Sequence, residues 1–439
     1  LILIIGGLGV VAAACSATDS GLLGALLSSP AARFVAEGDR QLAEGRMAEA
    51  VLAYRQAVAH DANHAPALHK LGKLYAGQGR TRLARQHLQQ AAALRPNDAE
   101  IAAELQALSP TQAGDGPLTS LWLAFANAGR PTGMAVAENA LAVAFEDGRV
   151  ALLDAATAAP RWEIRLPTRA TSAPTLAEGL VLVGGEDAAL HALAATDGRP
   201  LWRYQASAPI YAAPLATASA IYVPAGDGTF VAVAPADGAR LWGLNAAAPL
   251  TGRPALADGR VYFGSADGRI YGVDAATGQE LWGSGIVAQG AVEGEPLVAD
   301  GRVFIGAGDS RLYALDAATG GEYWRYSTPD AIYARPLVIG ETVYAASAGH
   351  TLTALDLLTG AVRWEIAANS ALRYAPAWAD GVLYYTVAAD PNLYAVDATT
   401  GTPLWQFDTG DWLASGPLIA AGRLYLLGLD GAVMAFRLR

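Results

Sequence analysis

Residues 274–282 read DAATGQELW, residues 316–324 read DAATGGEYW, and residues 397–405 read DATTGTPLW. Each stretch ends on a tryptophan that belongs to a longer series. Trp122, Trp162, Trp202, Trp242, Trp282, Trp324, Trp364 and Trp405 lie 40, 40, 40, 40, 42, 40 and 41 residues apart. Trp378 and Trp412 fall outside the series. Eight residues before the Trp stands Asp154, Asp274, Asp316, Asp356 or Asp397, with Ala194 and Ala234 in the other two units. Four before it stands Gly198, Gly238, Gly278, Gly320, Gly360 or Gly401, with Ala158 in the first. An Asp at such a place accepts bonds from backbone N–H groups two or three residues on, and a Gly takes positive φ and closes the turn. The Trp is read as the end of an outer strand, a large flat group wedged against the next unit. These docking tryptophans and their turns are structural, and no chemistry is assigned to them.

Each period divides into four short strands. The unit before Trp282 gives 254–257, 260–265, 269–274 and 279–282, with turns at Asp258-Gly259, Asp267-Gly268 and 275–278. A four-stranded unit of about 40 residues, repeated eight times, predicts a mainly β chain with an eight-bladed β-propeller over 118–439. The last unit stops at Arg439 without its Trp, whereas Trp122 in LTSLWLAF (118–125) has no unit of its own. That segment is therefore expected to supply the outer strand of the eighth blade, which removes an exposed sheet edge. No Trp-Asp dipeptide recurs, which argues against WD40 repeats, and the period is too short for kelch repeats. The run Asp-Ala-Ala-Thr-Gly-x-x-Leu-Trp resembles the tryptophan-docking motif of pyrroloquinoline-quinone (PQQ) propellers.

A second period precedes the first. Residues 31–64 and 65–98 align at 34 residues, with Gly38 over Gly72, Ala50 over Ala84 and Ala57 over Ala91. Leu71-Gly72, Tyr75, Ala84, Leu88, Ala91 and Pro96 resemble a tetratricopeptide repeat, so 31–108 reads as two helical hairpins and a capping helix. The small residues let paired helices approach closely. Residues 109–117 (SPTQAGDGP) form a linker by composition. His60, His64, His69 and His87 fall in the helical part and are read as surface histidines and not metal ligands. His191 is read as a packing substitution and His350 as a turn residue.

The chain has 439 residues and a net charge of −11, with no basic block, so nucleic acid is not an expected partner. Lys70 and Lys73 are its only lysines, which excludes Schiff-base chemistry from the larger domain. Cys15 is the only cysteine, so neither a disulfide framework nor a thiolate zinc site is available within the chain. It follows LILIIGGLGVVAAA (1–14), which reads as the apolar region of a signal peptide. Ala12-Ala13-Ala14-Cys15 resembles a bacterial lipoprotein lipobox. The resemblance implies lipidation of Cys15, an exported body tethered by acyl chains, and a tether over 16–30. The expected location is the periplasmic face of an outer membrane or the outer face of the cytoplasmic membrane. A signal peptide without lipidation, or an uncleaved anchor, is the alternative.

The segments leading into the inner strands read TSAP, YAAP, TGRP, EGEP, YARP, RYAP and ASGP when aligned on the Pro. They diverge where the rest of the unit is regular, and they should crowd at one mouth of the central channel. Arg253, Glu295 and Arg335 occupy the position before the Pro. Tyr211, Glu293, Tyr333 and Arg373 stand two residues earlier, and Trp412 lies in the last such loop. Arg and aromatic residues favour protein binding. A structural ion-pair chain through Arg253, Glu295 and Arg335 is the alternative reading. PQQ dehydrogenases share the repeat, but they resemble larger propellers with inserted loops, a Ca²⁺ site and, in many members, adjacent cysteines. With minimal blades and no propeller cysteine, this chain is expected to be a non-catalytic, monomeric scaffold without a cofactor. The resemblance extends to the BamB family of lipidated eight-bladed propellers, which implies envelope-protein partners in the barrel-assembly machinery. The tetratricopeptide repeats are an addition to that family's simple form. A PQQ-dependent oxidoreductase or redox sensor, and a polysaccharide- or wall-binding module, are the other two functions considered.

Overall fold

A computed structural model describes residues 29–108, 118–125, 128–283 and 286–438. Cys15 with the signal segment 1–15, all but the end of the tether 16–30, and the linker 109–117 lie outside the described residues. Among the described residues no helix is long and apolar enough to cross a membrane. The chain divides into two compact units, Leu1–Ala113 and Gly114–Arg439.

The first unit holds α1 (Pro30–Ala43), α2 (Met47–His60), α3 (Ala65–Gly77), α4 (Thr81–Leu94) and α5 (Ala99–Ala107). Pro30 sits at the start of α1, where its missing N–H costs nothing, and the Ser29 hydroxyl accepts from Ala32 N at 3.2 Å. Asp98 caps α5 through the N–H groups of Glu100 and Ile101. The aligned small residues mark the hairpin contacts: a Cβ at Gly38 would lie 2.4 Å from the Tyr54 ring, and one at Gly72 would lie 2.6 Å from Leu88. Leu68, Leu88, Ala91 and Ile101 form one fully covered cluster between the second hairpin and α5.

The second unit consists of eight four-stranded antiparallel sheets. Blade 1 is Pro131–Ala137, Ala140–Phe145, Arg149–Asp154 and Pro160–Arg165, from axis to rim. Its second and third strands are buried almost throughout, because neighbouring blades cover both faces. Outer strands such as Pro200–Gln205 instead alternate exposed and half-buried residues. The eighth sheet joins the two ends of the unit: Thr119–Ala124 pairs antiparallel with Val433–Arg437, beside Arg423–Leu427 and Leu418–Ala420.

Each turn Asp acts as its spacing predicts. Asp316 Oδ1 accepts from the N–H groups of Ala318 and Thr319 and from the Thr319 hydroxyl, and the same pattern holds at Asp154, Asp274, Asp356 and Asp397. The glycine four residues on has φ near +70° in all six units that carry it, and Ala158 adopts the same conformation at +60°. Beyond the turn role, the glycine is where the preceding blade's Trp lies flat. A Cβ at Gly360 would be 2.7 Å from the Trp324 ring. The Trp324 indole N–H then donates to Leu357 O at 3.0 Å, and six further docking tryptophans, from Trp122 to Trp364, make the equivalent bond.

Two strand expectations are corrected. The Trp does not end the outer strand: Trp162 lies within Pro160–Arg165 and Trp324 within Glu322–Ser327. A register shift beside the Trp recurs in seven blades, for example between Ala314 and Leu315 opposite Trp324 and Glu322. A bulge of this kind raises the local twist and re-aims the neighbouring side chain. The outer strand of the unit containing Trp282 is not 279–282 but Ile286–Val287, with one isolated bridge from Val273 to Glu280. The two extra residues of the 42-residue interval fall just after Trp282 and shift the ladder: Arg269 faces Val287, five past its Trp, where Arg311 faces Ser327, three past.

The turn aspartates make stability sensitive to acid. Hydrogen bonds from Tyr323 and Thr319 hold the Asp316 carboxyl down to about 2. Arg363 and Thr359 depress Asp356, and hydrogen bonds from Thr157, Thr277 and Thr400 depress Asp154, Asp274 and Asp397. A folded pKa below the unfolded one gives stability that is complete above the unfolded value and is lost as pH falls through the folded one. The melting temperature of the propeller should therefore hold from neutrality to about pH 4 and drop steeply towards about pH 2. Asp316→Ala should flatten that profile. An unchanged melting temperature across the interval would remove the argument.

Candidate functional site at the channel mouth

Adjacent blades place their inner-strand approaches side by side around the axis, partly through backbone carbonyls. Thr132 Oγ1 donates to Ser172 O at 2.8 Å, and Thr175 Oγ1 to Pro214 O at 2.8 Å, each reaching one blade further on. The result is a cavity of about 380 Å³ to which all eight blades contribute. Tyr211, Arg253, Glu293, Glu295, Tyr333, Arg335 and Arg373 all line it. These are the residues one and three positions before the Pro, so two alignment columns become one ring.

Trp412 does not line the cavity. It stands five residues before Pro417, and its loop is pinned to the middle strands of its own blade. Leu429 N donates to Trp412 O at 2.7 Å, and Ala414 N to Leu427 O at 2.8 Å. Two contributions escaped the sequence reading. Blade 1 supplies Thr132 and Met134 without the aligned Pro motif, and Tyr374 lies beside Arg373. Burial pushes the Tyr374 phenol upward, with Arg373 acting in the opposite direction.

Glu295 Oε1 lies 4.0 Å from Arg253 Nη1 and 3.3 Å from Arg335 Nε. The three side chains span successive blades and remain 28–39% exposed. Burial pushes the Glu295 carboxyl above the usual carboxylate range, and the two guanidinium groups pull it back. The close contact with Arg335 is an ion pair without hydrogen-bond geometry, since Nε of Arg335 is covered and has no acceptor. Nε of Arg253 and Oγ1 of Thr251 are in the same condition. The Arg373 guanidinium stacks 5.5 Å from the Tyr333 ring centroid. Tyr211 is 52% exposed, its ring lying over Gly226.

Outside the mouth, His191 is buried and meets Asp187 at 3.2 Å, a packing position as expected, and His350 is an exposed turn residue. In the helical unit His60 ends α2 and stacks on Phe34, while His64 caps α3. His69 and His87 are not surface histidines. His69 is half-buried against Glu104 at 2.9 Å, and His87 stacks on Tyr75 at 5.6 Å. Burial, then Arg55, pushes His87 down to about 4. His69, Glu100 and Glu104 converge closely enough to hold a metal ion. The Lys73 ammonium already serves both carboxylates, 2.9 Å from Glu100 and 3.5 Å from Glu104.

Comparison with known proteins places this architecture. The family model described as outer membrane protein assembly factor BamB matches residues 105–230, 226–375 and 366–438. The chain belongs to this BamB family. A tetratricopeptide-repeat model matches residues 41–108, so the BamB-like propeller is preceded by such repeats. BamB from Moraxella catarrhalis superposes with a TM-score of 0.64 at 20% identity, covering 73% of this chain and 98% of that one. The computationally designed Ika8 protein gives 0.62 at 19% identity, over 70% and 96%. Saccharomyces cerevisiae Sqt1 gives 0.61 at 11% identity, over 71% and 96%. At these identities the likeness is one of fold. No curated protein matches the chain.

Proposed function

We propose that this BamB-family chain is a non-catalytic, extracytoplasmic scaffold that binds envelope proteins, with outer-membrane protein assembly as its setting. The observation that carries this reading is the channel mouth. Framework residues are consumed internally by turns and blade docking, whereas the divergent positions converge on one cavity rich in Arg and Tyr, the residue types that dominate binding surfaces. The names of the matched family and of the Moraxella protein support the assembly setting. In this reading Cys15 carries the lipid anchor, the protein acts as a monomer, and the helical repeats offer a second binding module.

The donors at the mouth do not suit PQQ with its calcium ion. Calcium requires six to eight oxygen ligands. The carboxylates here are Glu293 and Glu295, and the latter faces two guanidinium groups whose charge opposes a divalent cation. Among the described residues no tryptophan lines the cavity.

In-cell crosslinking and pull-down of the tagged full-length chain, beside a form lacking 31–108, tests the proposal by mass spectrometry. Barrel-assembly components recovered with both forms would support it and assign the contact to the propeller. Recovery of no envelope protein with either would overturn it. Metabolic labelling with a fatty-acid analogue, lost in Cys15→Ser, tests the anchor.

A further inference from the structure

We propose that the channel mouth is a carboxylate-recognition site, which seats an acidic side chain of an extended segment from a partner protein between Arg253 and Arg335. This rests on the protein-binding reading above and names its chemistry.

Three observations converge on it. First, Arg253 and Arg335 face the Glu295 carboxylate at 4.0 and 3.3 Å, line the same cavity, and keep 38% and 39% of their side chains exposed. A single carboxylate does not use up two guanidinium groups, each of which carries five N–H donors, so both keep donors for a second acceptor. An incoming carboxylate has lone pairs for two guanidinium groups at once, and such charge-assisted bonds are the strong ones.

Second, the mouth runs against the charge of the protein. Residues 109–439 hold 20 Arg and 32 Asp or Glu, yet the cavity lining holds Arg253, Arg335 and Arg373 against Glu293 and Glu295. A positive focus in a negative surface steers an anion to one point and turns it away elsewhere.

Third, the cavity is larger than a lone carboxylate requires. At about 380 Å³ it falls in the range of sites that enclose whole small ligands. Met134, Leu418 and the Tyr211 and Tyr333 rings offer apolar surface beside the arginines. That mixture fits an acidic residue flanked by apolar ones on an extended backbone better than a fully hydrated inorganic anion. Glu295 is then the resident competitor: it holds both guanidinium groups until a partner carboxylate takes over part of their coordination.

The test is fluorescence anisotropy on the full-length chain with two short labelled peptides. One alternates glutamate with apolar residues, and the other replaces each glutamate by glutamine. The glutamate peptide should bind at least about tenfold more tightly, and the preference should shrink as salt rises. Arg253→Gln and Arg335→Gln should each weaken it about tenfold, and Glu295→Gln should tighten it several-fold by freeing both guanidinium groups. A merely structural ion-pair chain would not give that gain. Circular dichroism establishes that each variant is folded. Arg373→Gln, outside the triad, supplies an independent variant and should weaken binding through the same local charge. Equal affinity for the two peptides, or binding to neither, would overturn the inference. Displacement of the glutamate peptide by inorganic phosphate at equal concentration would also overturn it, leaving a simple anion site. If the arginine variants still recover the same envelope proteins in the pull-down, the scaffold reading stands and the carboxylate site falls.

Discussion

Replacing Trp324 by Ala should cost the propeller about 3–5 kcal/mol, the range for removing a large aromatic from a packed core. The side chain is 8% exposed and packs with Phe304, Leu312, Ala314 and Val343, at a ring distance of 5.8 Å from Phe304. Its other face covers the backbone at Gly360, and its N–H satisfies Leu357 O. Truncation opens a cavity between two blades and leaves that carbonyl without its indole donor, and neither neighbouring sheet can collapse inward without disturbing the ring. The comparison that isolates the effect is Trp378→Ala. Trp378 is outside the 40-residue series, is 37% exposed, and should change stability by about 1 kcal/mol or less. Chemical denaturation followed by circular dichroism measures both. Equal losses at the two positions would sink the docking argument.

Removing residues 118–124 should be at least as damaging. That segment carries the outer strand Thr119–Ala124, whose ladder covers the Val433–Arg437 edge. It also carries Trp122, whose indole bonds Ala156 O in blade 1 at 3.1 Å and whose ring lies 6.0 Å from Tyr425. Tyr425 in turn donates to Ala155 O at 3.0 Å, a bond between residues 270 apart in sequence. Met134, Leu141, Tyr425, Leu427 and Val433 form one core drawn from both ends of the ring. Deletion removes the wedge, thins that core and bares a strand edge, so loss of soluble monomer to aggregates is the expected outcome in size-exclusion chromatography. Adding a peptide of residues 118–125 in trans should restore part of the monomer. A deleted chain that elutes and melts like the intact one would show that the ring does not depend on this strand.

The tyrosine struts show what a periodic sequence conceals. Tyr222 and Trp242 both donate to Ala275 O, Tyr262 and Trp282 both to Ala317 O, and Tyr344 and Trp364 both to Ala398 O. A tyrosine stands in the second strand of five of the eight blades, yet nothing local marks its partner. The hydroxyl meets a carbonyl of the following blade more than 50 residues away. The bulge beside each Trp was likewise invisible, because it depends on how the outer strand must twist to lay the indole on the next blade.

By itself the sequence determined the repeat, the blade count, the turn chemistry and the hairpin contacts of the helical unit. Those features follow from short-range rules: an Asp reaches N–H groups two or three residues on, and a glycine admits positive φ wherever a turn calls for it. The tertiary structure decided which divergent residues meet. Arg253, Glu295 and Arg335 stand about 40 residues apart and converge because closing eight sheets into a ring brings one column of the alignment to the axis. Trp412, in the same run of loops, was carried off the axis by its own blade's backbone bonds. The polarity of the mouth was legible as composition. Its ion-pair distances, covered donors and volume depend on long-range geometry, which no local pattern encodes.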